Sequence, residues 1–408
     1  VLAALPALVA NGLFRHTEQL FNLPRGYYSA VHLFVALGLM MLARVKNVER
    51  LRYEPCGEWG RLLGLDRLPE ARTMRGKIGL LAQDEAVREW SSRLSREWME
   101  SAPGMAGTLY VDGHVRVYHG SQTRQPRRYV SRERLCLRGL ADYWVNDRIG
   151  SPFFVVSTPA TDGLLAMLRG EIVPRLLKEV PGQPTDQELA ANPHMARFTL
   201  VFDREGYSPV FMKEMWHQRI ACLSYHKFPG DNWSESEFCE QTVELAHGAS
   251  ATMKLAERGT RLSNGLWVRE VRKLTDSGHQ VPLISTSYQG ETSPLAGAMF
   301  ARWSQENFFR YAIQHFDLDR LAGYMVEPVD ETMKVVNPAW RAADAKVRTV
   351  RGKLARKSVE FATLNLADDA SEEETAKHLG CQANLREQID LLEQDLDKLK
   401  QTRAATAK

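Results

Sequence analysis

The spacing of hydrophobic positions changes character along the chain. Up to about residue 105 the apolar residues follow helical spacing, and the densest apolar segment covers residues 30–43. Further on, short apolar runs predict strands at residues 153–157, 198–202 and 220–225. Amphipathic stretches predict helices at residues 164–179 and 210–218. Strands that alternate with helices are typical of an α/β domain with a mixed sheet.

The second half of the chain departs from this order twice. Residues 266–274 and 280–288 predict two antiparallel strands joined by a turn at residues 276–279, so residues 228–291 are interpreted as an all-β insertion. Helical spacing returns at residues 294–315. In the tail, five apolar positions recur at intervals of four and three residues, as in a coiled coil; they are Leu385, Ile389, Leu392, Leu396 and Leu399. Earlier in the tail, Asn337 and Pro338 predict the start of another helix.

These changes of pattern divide the chain into five segments. They are an N-terminal helical region at 1–105, the first part of an α/β core at 106–227, the β insertion at 228–291, the last part of the core at 292–330, and a tail at 337–408 interpreted as a helical hairpin or a coiled-coil oligomerisation arm. Residues 60–66 are either part of a DNA-reading helix-turn-helix or a packing turn. The first residue is Val1 rather than methionine, which leaves open whether the helical region is truncated.

Composition narrows the class of protein. With 408 residues, 44% hydrophobic and 25% charged residues, the chain has the size and balance of a multidomain soluble protein. The five cysteines are scattered and form no CxxC pair, so we expect neither a disulfide framework nor a zinc site, and a reducing cytoplasm fits. The apolar stretch at 30–43 is too short for a bilayer, and we expect no membrane association and no signal peptide.

Positive charge is concentrated locally although the net charge is only +3. Residues 124–138 contain six arginines, among them Arg124, Arg127 and Arg128, and residues 346–357 contain six lysines and arginines. Such strips either contact nucleic-acid phosphates or are simply solvated faces. We predict that the first strip binds DNA.

Three carboxylates carry the candidate chemistry. Asp112 and Asp203 each follow an apolar, β-branched run, which predicts that both lie at strand ends, and Glu306 lies in a helical pattern between Arg302 and Arg310. Two strand-end aspartates and a helical glutamate form a set that can hold two Mg²⁺ ions for phosphoryl transfer.

Each carboxylate also has a plainer interpretation. Asp112 before Gly113 is compatible with a hairpin turn or bulge, and Asp203 with a helix cap. Glu306 is compatible with an i, i+4 ion-pair ladder on a solvated helix face. Asp142 and Asp147 are further acidic positions, which we interpret as helix or loop residues, and we expect no metal role for His114 or His119.

The three segments together resemble a known family. Val111-Asp112-Gly113, the run from Phe202 to Tyr207, and the helix around Glu306 are similar to the motifs of cut-and-paste insertion-sequence transposases of the DDE type. The resemblance implies a ribonuclease H-like catalytic domain interrupted by a β insertion. Arg302 and Trp303 match the family's pattern around the glutamate, whereas Met299 and Ile313 stand where it has tyrosine and lysine.

The resemblance implies a function. Asp112, Asp203 and Glu306 would bind two Mg²⁺ or Mn²⁺ ions, cleave the phosphodiester at transposon ends and join the freed 3′-hydroxyl to target DNA. Double-stranded DNA would be the partner, with a homodimer on DNA in a bacterial, nucleoid-associated setting. Arg302 and Arg310 would contact DNA, and Trp233 or Trp267 would stack on a flipped base, although core packing is the plainer expectation for both tryptophans.

Three other functions remain open on the sequence. One is a related nuclease that cuts without joining. Another is a catalytically inactive, domesticated relative that still binds DNA, because the motif around Glu306 is only partly kept. The third is a purely structural coiled-coil protein, suggested by the tail, which leaves the α/β middle unexplained.

Overall fold

The computed structural model describes residues 2–82, 84–118, 127–130, 134–159, 163–319, 337–364 and 371–407. The chain forms two compact units, one made of residues 1–130 with 137–328 and the other of 131–136 with 329–408. In the described part of the chain, no helix is long and apolar enough to cross a membrane.

The N-terminal part of the first unit is helical, as the sequence predicts. Its helices are α1 (Leu5–Ala10), α2 (Thr17–Leu20), α3 (Ala30–Leu42), α4 (Cys56–Leu62), α5 (Ala71–Leu81), α6 (Asp84–Ser101) and α7 (Pro103–Ala106). They enclose their own core, in which Leu33, Leu39 and Met74 are fully buried. Between α4 and α5 the chain passes so close to Gly60 that a Cβ there would overlap the backbone of Arg67, so this turn is tightly packed.

The middle of the chain alternates strands and helices. The strands are β1 (Thr108–Val117), β2 (Arg127–Val130), β3 (Leu135–Asn146), β4 (Pro152–Pro159), β5 (Thr199–Phe202) and β6 (Ala221–Tyr225). The helices are α8 (Leu164–Met167), α9 (Val173–Glu179), α10 (Asp186–Ala191) and α11 (Pro209–His217). A π-helical turn at Leu168–Ile172 joins α8 to α9 just before Pro174, which lacks the N–H that a regular helix requires.

The predicted all-β segment joins the same sheet. Strands β7 (Cys239–Glu244), β8 (Ser250–Arg261), β9 (Trp267–Leu274) and β10 (Gln280–Ser285) are antiparallel neighbours, and β10 pairs with β6. The predicted strands and turn at residues 266–288 are therefore confirmed. The sheet has the order β2-β3-β1-β5-β6-β10-β9-β8-β7, and β4 pairs with β3. Among the strand pairings of the described residues, β1–β5 and β5–β6 are the parallel ones.

Two further helices cover one face of the sheet. The predicted helix at 294–315 is divided into α12 (Thr292–Phe300) and α13 (Trp303–Phe316), with a break at Ala301 and Arg302. The core on this face includes Tyr110, Val201 and Met299, whereas α8, α9 and α11 pack on the opposite face.

Two local expectations are wrong. Asp112-Gly113 is neither a turn nor a bulge, because β1 continues through both residues in unbroken register with β3. Gly113 allows this continuity, since a Cβ there would lie 2.8 Å from the Tyr143 ring. Asp142 is not in a helix or loop but in β3, opposite His114. The expectation for Asp147 is confirmed, because its carboxylate accepts hydrogen bonds from the N–H groups of Ile149 and Ser151 in the β3–β4 turn.

The second unit contains two long helices. They are α14 (Pro338–Ala362), capped by the Asn337 side chain, and α15 (Glu372–Ala405). Asp344 near the start of α14 pairs with Arg403 near the end of α15 at 2.9 Å, so the two helices are antiparallel. Within one chain, α14 and α15 thus form a helical hairpin; the oligomerisation arm stays a prediction.

Candidate active site

Strand pairing brings Asp112 and Asp203 to adjacent positions. The parallel ladder between β1 and β5 ends at the pair Val111–Phe202, and each aspartate is the next residue along the chain. Neighbouring strands lie about 4.8 Å apart, and side chains alternate between the two faces of a sheet. Both carboxylates therefore lie on the face that also carries Tyr110 and Val201. Asp203 follows its strand directly, whereas Asp112 lies within β1 at the end of the parallel pairing.

The chain turns immediately after Asp203. Its Oδ1 accepts a hydrogen bond of 2.8 Å from the N–H of Glu205, which caps a 3-10 turn at Arg204–Gly206. The Ser224 hydroxyl on β6 donates to the Asp203 carbonyl oxygen at 3.1 Å. Asp203 thus caps this short turn, whereas the helix that follows, α11, is capped by Ser208. The contacts of Asp203 fix it at the end of β5.

Helices α12 and α13 deliver the third carboxylate to this edge. The Tyr110 hydroxyl donates to the Ala298 carbonyl at 2.7 Å and holds α12 on β1. Gln305, 1% exposed, donates to the Asn146 side chain at 2.7 Å and to the Trp144 carbonyl at 3.1 Å, which holds α13 on β3. The sequence pattern does not indicate a role for Gln305; its place next to Glu306 in the chain is the signal that could have found it.

Arg302 is the centre of the cluster. Its Nη1 lies 3.2 Å from Asp112 Oδ2, and its Nη2 donates to Glu306 Oε1 at 2.9 Å. Its side chain is 13% exposed. Although burial alone would lower its pKa, the negative charges of Asp112, Asp203 and Glu306 raise the pKa of Arg302 above its ordinary value. One largely buried cation therefore lies within the field of all three predicted carboxylates.

The surroundings of Asp112 shift its pKa upward, toward the protonated acid. Burial is the main cause that raises its pKa to about 6, and the charges of Asp203 and Glu306 act in the same direction. The charge of Arg302 and a 2.9 Å hydrogen bond from the Gly113 N–H act against this rise. Negative charge is thus crowded around Asp112, and additional positive charge nearby would relieve it.

The arrangement bears on metal binding in two ways. Among the described residues, no group of three or more His, Cys, Asp or Glu side chains is placed to hold a metal ion. The Arg302 guanidinium instead bridges Asp112 and Glu306. By donor chemistry the set nevertheless fits a hard divalent cation, because it consists of carboxylate oxygens around a site that already attracts positive charge.

The predicted DNA-binding arginines have different surroundings. Arg310 on α13 and Arg127 on β2 are exposed. Arg128 is instead held inside the fold, where it donates to the Tyr143 hydroxyl at 2.6 Å and forms an ion pair with Glu205. Arg124 and His119 lie outside the described residues.

The two tryptophans also differ. Trp233, 8% exposed, packs under the guanidinium groups of Arg258 and Arg272, as the core-packing alternative expects. Trp267 is 46% exposed. Followed from Asp203 across β6 and β10, the strand register reaches Val271 on β9. Trp267 lies four residues before Val271, roughly 13 Å along the strand. The exposed tryptophan is therefore at the end of the sheet away from the carboxylates.

Two side-chain contacts, each with one buried partner, flank the site. His114, on the same face of β1 as Asp112, contacts Asp319 at 2.6 Å and stacks on Phe309. Further along the strand, Arg116 pairs with Asp142 at 2.5 Å. The two contacts join β1, which carries Asp112, to Asp319 and to Asp142 of β3.

Comparisons with known proteins give a family for the chain. A family model described as "Transposase protein" matches residues 1–408. A solved structure of a piggyBac transposase synaptic complex with hairpin DNA is similar at a TM-score of 0.38 and 10% identity, over 75% of this chain and 64% of that chain. No curated protein matches the chain.

Proposed function

The chain belongs to this transposase family, and from that premise we propose that it is a DDE transposase that cleaves DNA at transposon ends and joins the ends to target DNA. The observation that carries the proposal is the convergence of Asp112, Asp203 and Glu306 on the largely buried cation of Arg302. These residues are distant in sequence, and the fold brings their charges into one field.

The proposal includes a ribonuclease H-like catalytic domain. Support comes from the strand order β4-β3-β1-β5-β6, with β3 antiparallel to both β4 and β1 and with β1, β5 and β6 parallel. Strands β7 to β10 then correspond to an insertion at residues 228–291, between β6 and the helix that carries Glu306. With this interpretation we keep the five segments expected from the sequence, at 1–105, 106–227, 228–291, 292–330 and 337–408.

In this proposal Asp112, Asp203 and Glu306 would hold two Mg²⁺ or Mn²⁺ ions. Such ions, when bound, activate the attacking oxygen, stabilise the leaving oxygen and neutralise phosphate charge. The sheet edge and the anchored start of α13 hold the three carboxylates in place. Arg302 would leave the carboxylates on metal binding, because it now bridges Asp112 and Glu306, and its guanidinium suits a DNA phosphate.

The proposed partner is double-stranded DNA. Arg310 and Arg127 are exposed and suited to phosphate contacts, and Arg302 would join them. Arg128 and Trp233 are better explained as packing residues. Trp267 is exposed, but its distance from the carboxylates does not favour stacking on a base at the cut. A homodimer on DNA and a bacterial, nucleoid-associated location complete the proposal.

One alternative is favoured by a specific observation. A relative that binds DNA without cutting it would not need a metal site, and Arg302 already neutralises part of the carboxylate charge in this arrangement. A nuclease that cuts without joining would use the same carboxylates.

A strand-transfer assay distinguishes these functions. Purified protein would be incubated with Mg²⁺, target plasmid and a linear DNA that carries the inverted repeats flanking the coding sequence. Joined product supports the transposase, cut product alone supports the nuclease, and binding alone supports the inactive relative. The variants Asp112→Asn and Asp203→Asn should bind the DNA yet release no ends.

A further inference from the structure

Neither tryptophan of the β insertion, residues 228–291, is placed to stack on a base at the carboxylates. Trp233 is buried under two arginines, and Trp267 lies at the end of the sheet away from the carboxylates. The insertion instead packs around helix α12, which ends two residues before Arg302. Whatever fixes α12 therefore also fixes the start of α13.

Helix α12 shares one apolar core with the insertion. It contacts β6 and also strands β7, β8 and β10 of the insertion. The buried side chains of this core include Val243, Met253 and Leu255 of the insertion and Leu295, Ala296 and Met299 of α12. Since the Tyr110 hydroxyl holds the Ala298 carbonyl from the central sheet, α12 is held by the core strands and by the insertion together.

The insertion approaches the middle of α12 very closely. A Cβ at Gly297 would lie 2.5 Å from the carbonyl oxygen of Glu244, the last residue of β7, and 3.2 Å from Val243 Cγ1. The same carbonyl accepts a 2.6 Å hydrogen bond from Arg148 Nη2 in the β3–β4 turn. The edge strand of the insertion thus contacts both α12 and the turn that follows β3, so the insertion closes over the helix.

An ion pair between two insertion strands holds the start of α12. Arg269 on β9, 6% exposed, donates from Nε and Nη2 to the two carboxylate oxygens of Glu257 on β8, at 2.6 and 2.8 Å. The hydroxyl of Thr292, the first residue of α12, donates to Glu257 Oε2 at 2.5 Å. Arg269 Nη1 also donates at 3.0 Å to the carbonyl of Gln289, in the segment that leads into α12. The start of the helix is therefore tied to two strands of the insertion.

Charge strengthens this anchor. The hydrogen bonds from Arg269 and Thr292 hold the pKa of Glu257 below its ordinary value, although burial acts in the opposite direction. A carboxylate that is ionised and bound by both edges of a guanidinium is fixed in orientation as well as in distance. At the other end of α12, Lys273 Nζ of β9 lies 4.8 Å from the centre of the Phe300 ring. Insertion side chains thus contact α12 at both ends.

We propose that the β insertion positions the helix that carries Glu306, and that Arg269, Glu257 and Thr292 are positioning residues for it. They act through α12, whose nine residues span about 13 Å and lead directly to Arg302. The inference rests on the proposed function in one respect, which is that Glu306 takes part in cleavage. The mechanical link from the insertion to α13 does not depend on it.

Thr292→Val tests this link, because it removes the hydroxyl that donates to Glu257 and changes the side-chain volume little. Hydrogen–deuterium exchange of the full chain, followed by mass spectrometry, would be measured without metal or DNA. Peptides that cover residues 303–316 should exchange about fivefold faster than in the wild type, as expected for the loss of one hydrogen bond that holds the helix. Thr292→Ser keeps the hydroxyl and should restore the wild-type rate.

Cleavage provides a second readout. With Mg²⁺ and DNA that carries the inverted repeats, Thr292→Val should lower kcat for end cleavage about tenfold, because Glu306 is displaced. KM for the DNA should stay within about twofold of the wild-type value, since no DNA-contacting residue is changed. Thr292→Ser should again recover the wild-type kcat.

The chain offers matched controls. The Thr275 hydroxyl donates to the His279 carbonyl at 2.9 Å in the β9–β10 turn, so Thr275→Val loses the same kind of bond within the insertion but away from α12. It should leave exchange in residues 303–316 unchanged. Gly297→Ala places a Cβ against β7 and should act like Thr292→Val, whereas Gly76→Ala in α5 meets open space and should not.

Two outcomes would overturn the proposal. One is wild-type exchange in residues 303–316 in both Thr292→Val and Gly297→Ala. The other is faster exchange confined to peptides of the insertion, since the insertion would then stabilise only itself. Because exchange is measured without metal or DNA, a chain that shows the expected exchange but no cleavage would support the link while refuting the catalytic proposal.

Discussion

Arg302 and Glu306 lie one helical turn apart at the start of α13, and their 2.9 Å ion pair extends through the same guanidinium to Asp112 on the central sheet. An exposed i, i+4 pair contributes well under 1 kcal/mol on a helix surface. This pair differs because Arg302 is largely buried and also faces a strand carboxylate. The contact links the helix to the sheet edge, so the position of Glu306 depends on it.

Arg302→Gln should separate the two roles of this arginine. Without the guanidinium, three carboxylates repel one another, so the metal-free protein should melt several degrees lower at pH 8. Mn²⁺ should then raise the melting temperature of the variant more than that of the wild type, because no side-chain cation competes. Arg310→Gln, on the same helix but exposed, is the matched control and should change neither value. Equal Mn²⁺ shifts in all three proteins would refute competition by Arg302.

Asp112→Asn should stabilise the metal-free protein while abolishing cleavage. The pKa of Asp112 is raised to about 6, mainly by burial, so the folded state holds this proton more tightly than the unfolded state. The resulting stability is present below about pH 4 and is lost as pH rises to about 6, on the order of 2–3 kcal/mol. Chemical denaturation in EDTA should show the variant more stable than wild type at pH 8 but not at pH 4. Asp276→Asn, in an exposed turn, should show no such difference.

Gly150→Ala should damage the site from a distance. Gly150 has φ +89°, and a Cβ there would lie 2.7 Å from the carbonyl oxygen of Ser304 on α13. The substitution should displace the start of α13, and with it Arg302 and Glu306, so that cleavage falls at least tenfold. Gly182→Ala has φ +64° but open space around it, and should cost only about 1 kcal/mol. If both variants lose the same stability and keep activity, the turn at Gly150 does not position α13.

The neighbouring arginines of β2 should respond in opposite ways. Arg127→Ala should weaken DNA binding, and the salt dependence of the binding constant should fall by about one phosphate contact. The melting temperature should not change, because the residue is exposed. Arg128→Ala should lower the melting temperature, since it removes the partner of Tyr143 and Glu205. Fluorescence anisotropy at several salt concentrations and thermal melting make the comparison. If Arg128→Ala instead weakens DNA binding and Arg127→Ala lowers the melting temperature, Arg128 leaves its partners to contact DNA.

Much of this architecture could be predicted from local pattern. The buried strands that end before Asp203 and at Tyr225 are mostly apolar, and the pair of strands at residues 267–285 flanks a turn rich in polar residues. The course of β1 through Asp112-Gly113 could not be predicted, because an Asp-Gly pair favours a turn and only the Tyr143 ring on the next strand explains the glycine.

Tertiary contacts decide the remaining details. The break between α12 and α13 lies where a single helical pattern was predicted. The i, i+4 spacing predicted the pair of Arg302 with Glu306, but the contact of Arg302 with Asp112 joins residues 190 positions apart. The strip of arginines was predicted as one surface, yet burial separates Arg128 from Arg127.

The central claim is that Asp112, Asp203 and Glu306 form one divalent-cation site. Titration of Mn²⁺ into the protein at pH 7.5, followed by electron paramagnetic resonance of the free ion, tests it without knowledge of the DNA sequence. We expect two bound ions per chain, and a loss of at least tenfold in affinity in each of Asp112→Asn, Asp203→Asn and Glu306→Gln. Unchanged Mn²⁺ binding in all three folded variants, or no binding by the wild type with or without DNA, would contradict it.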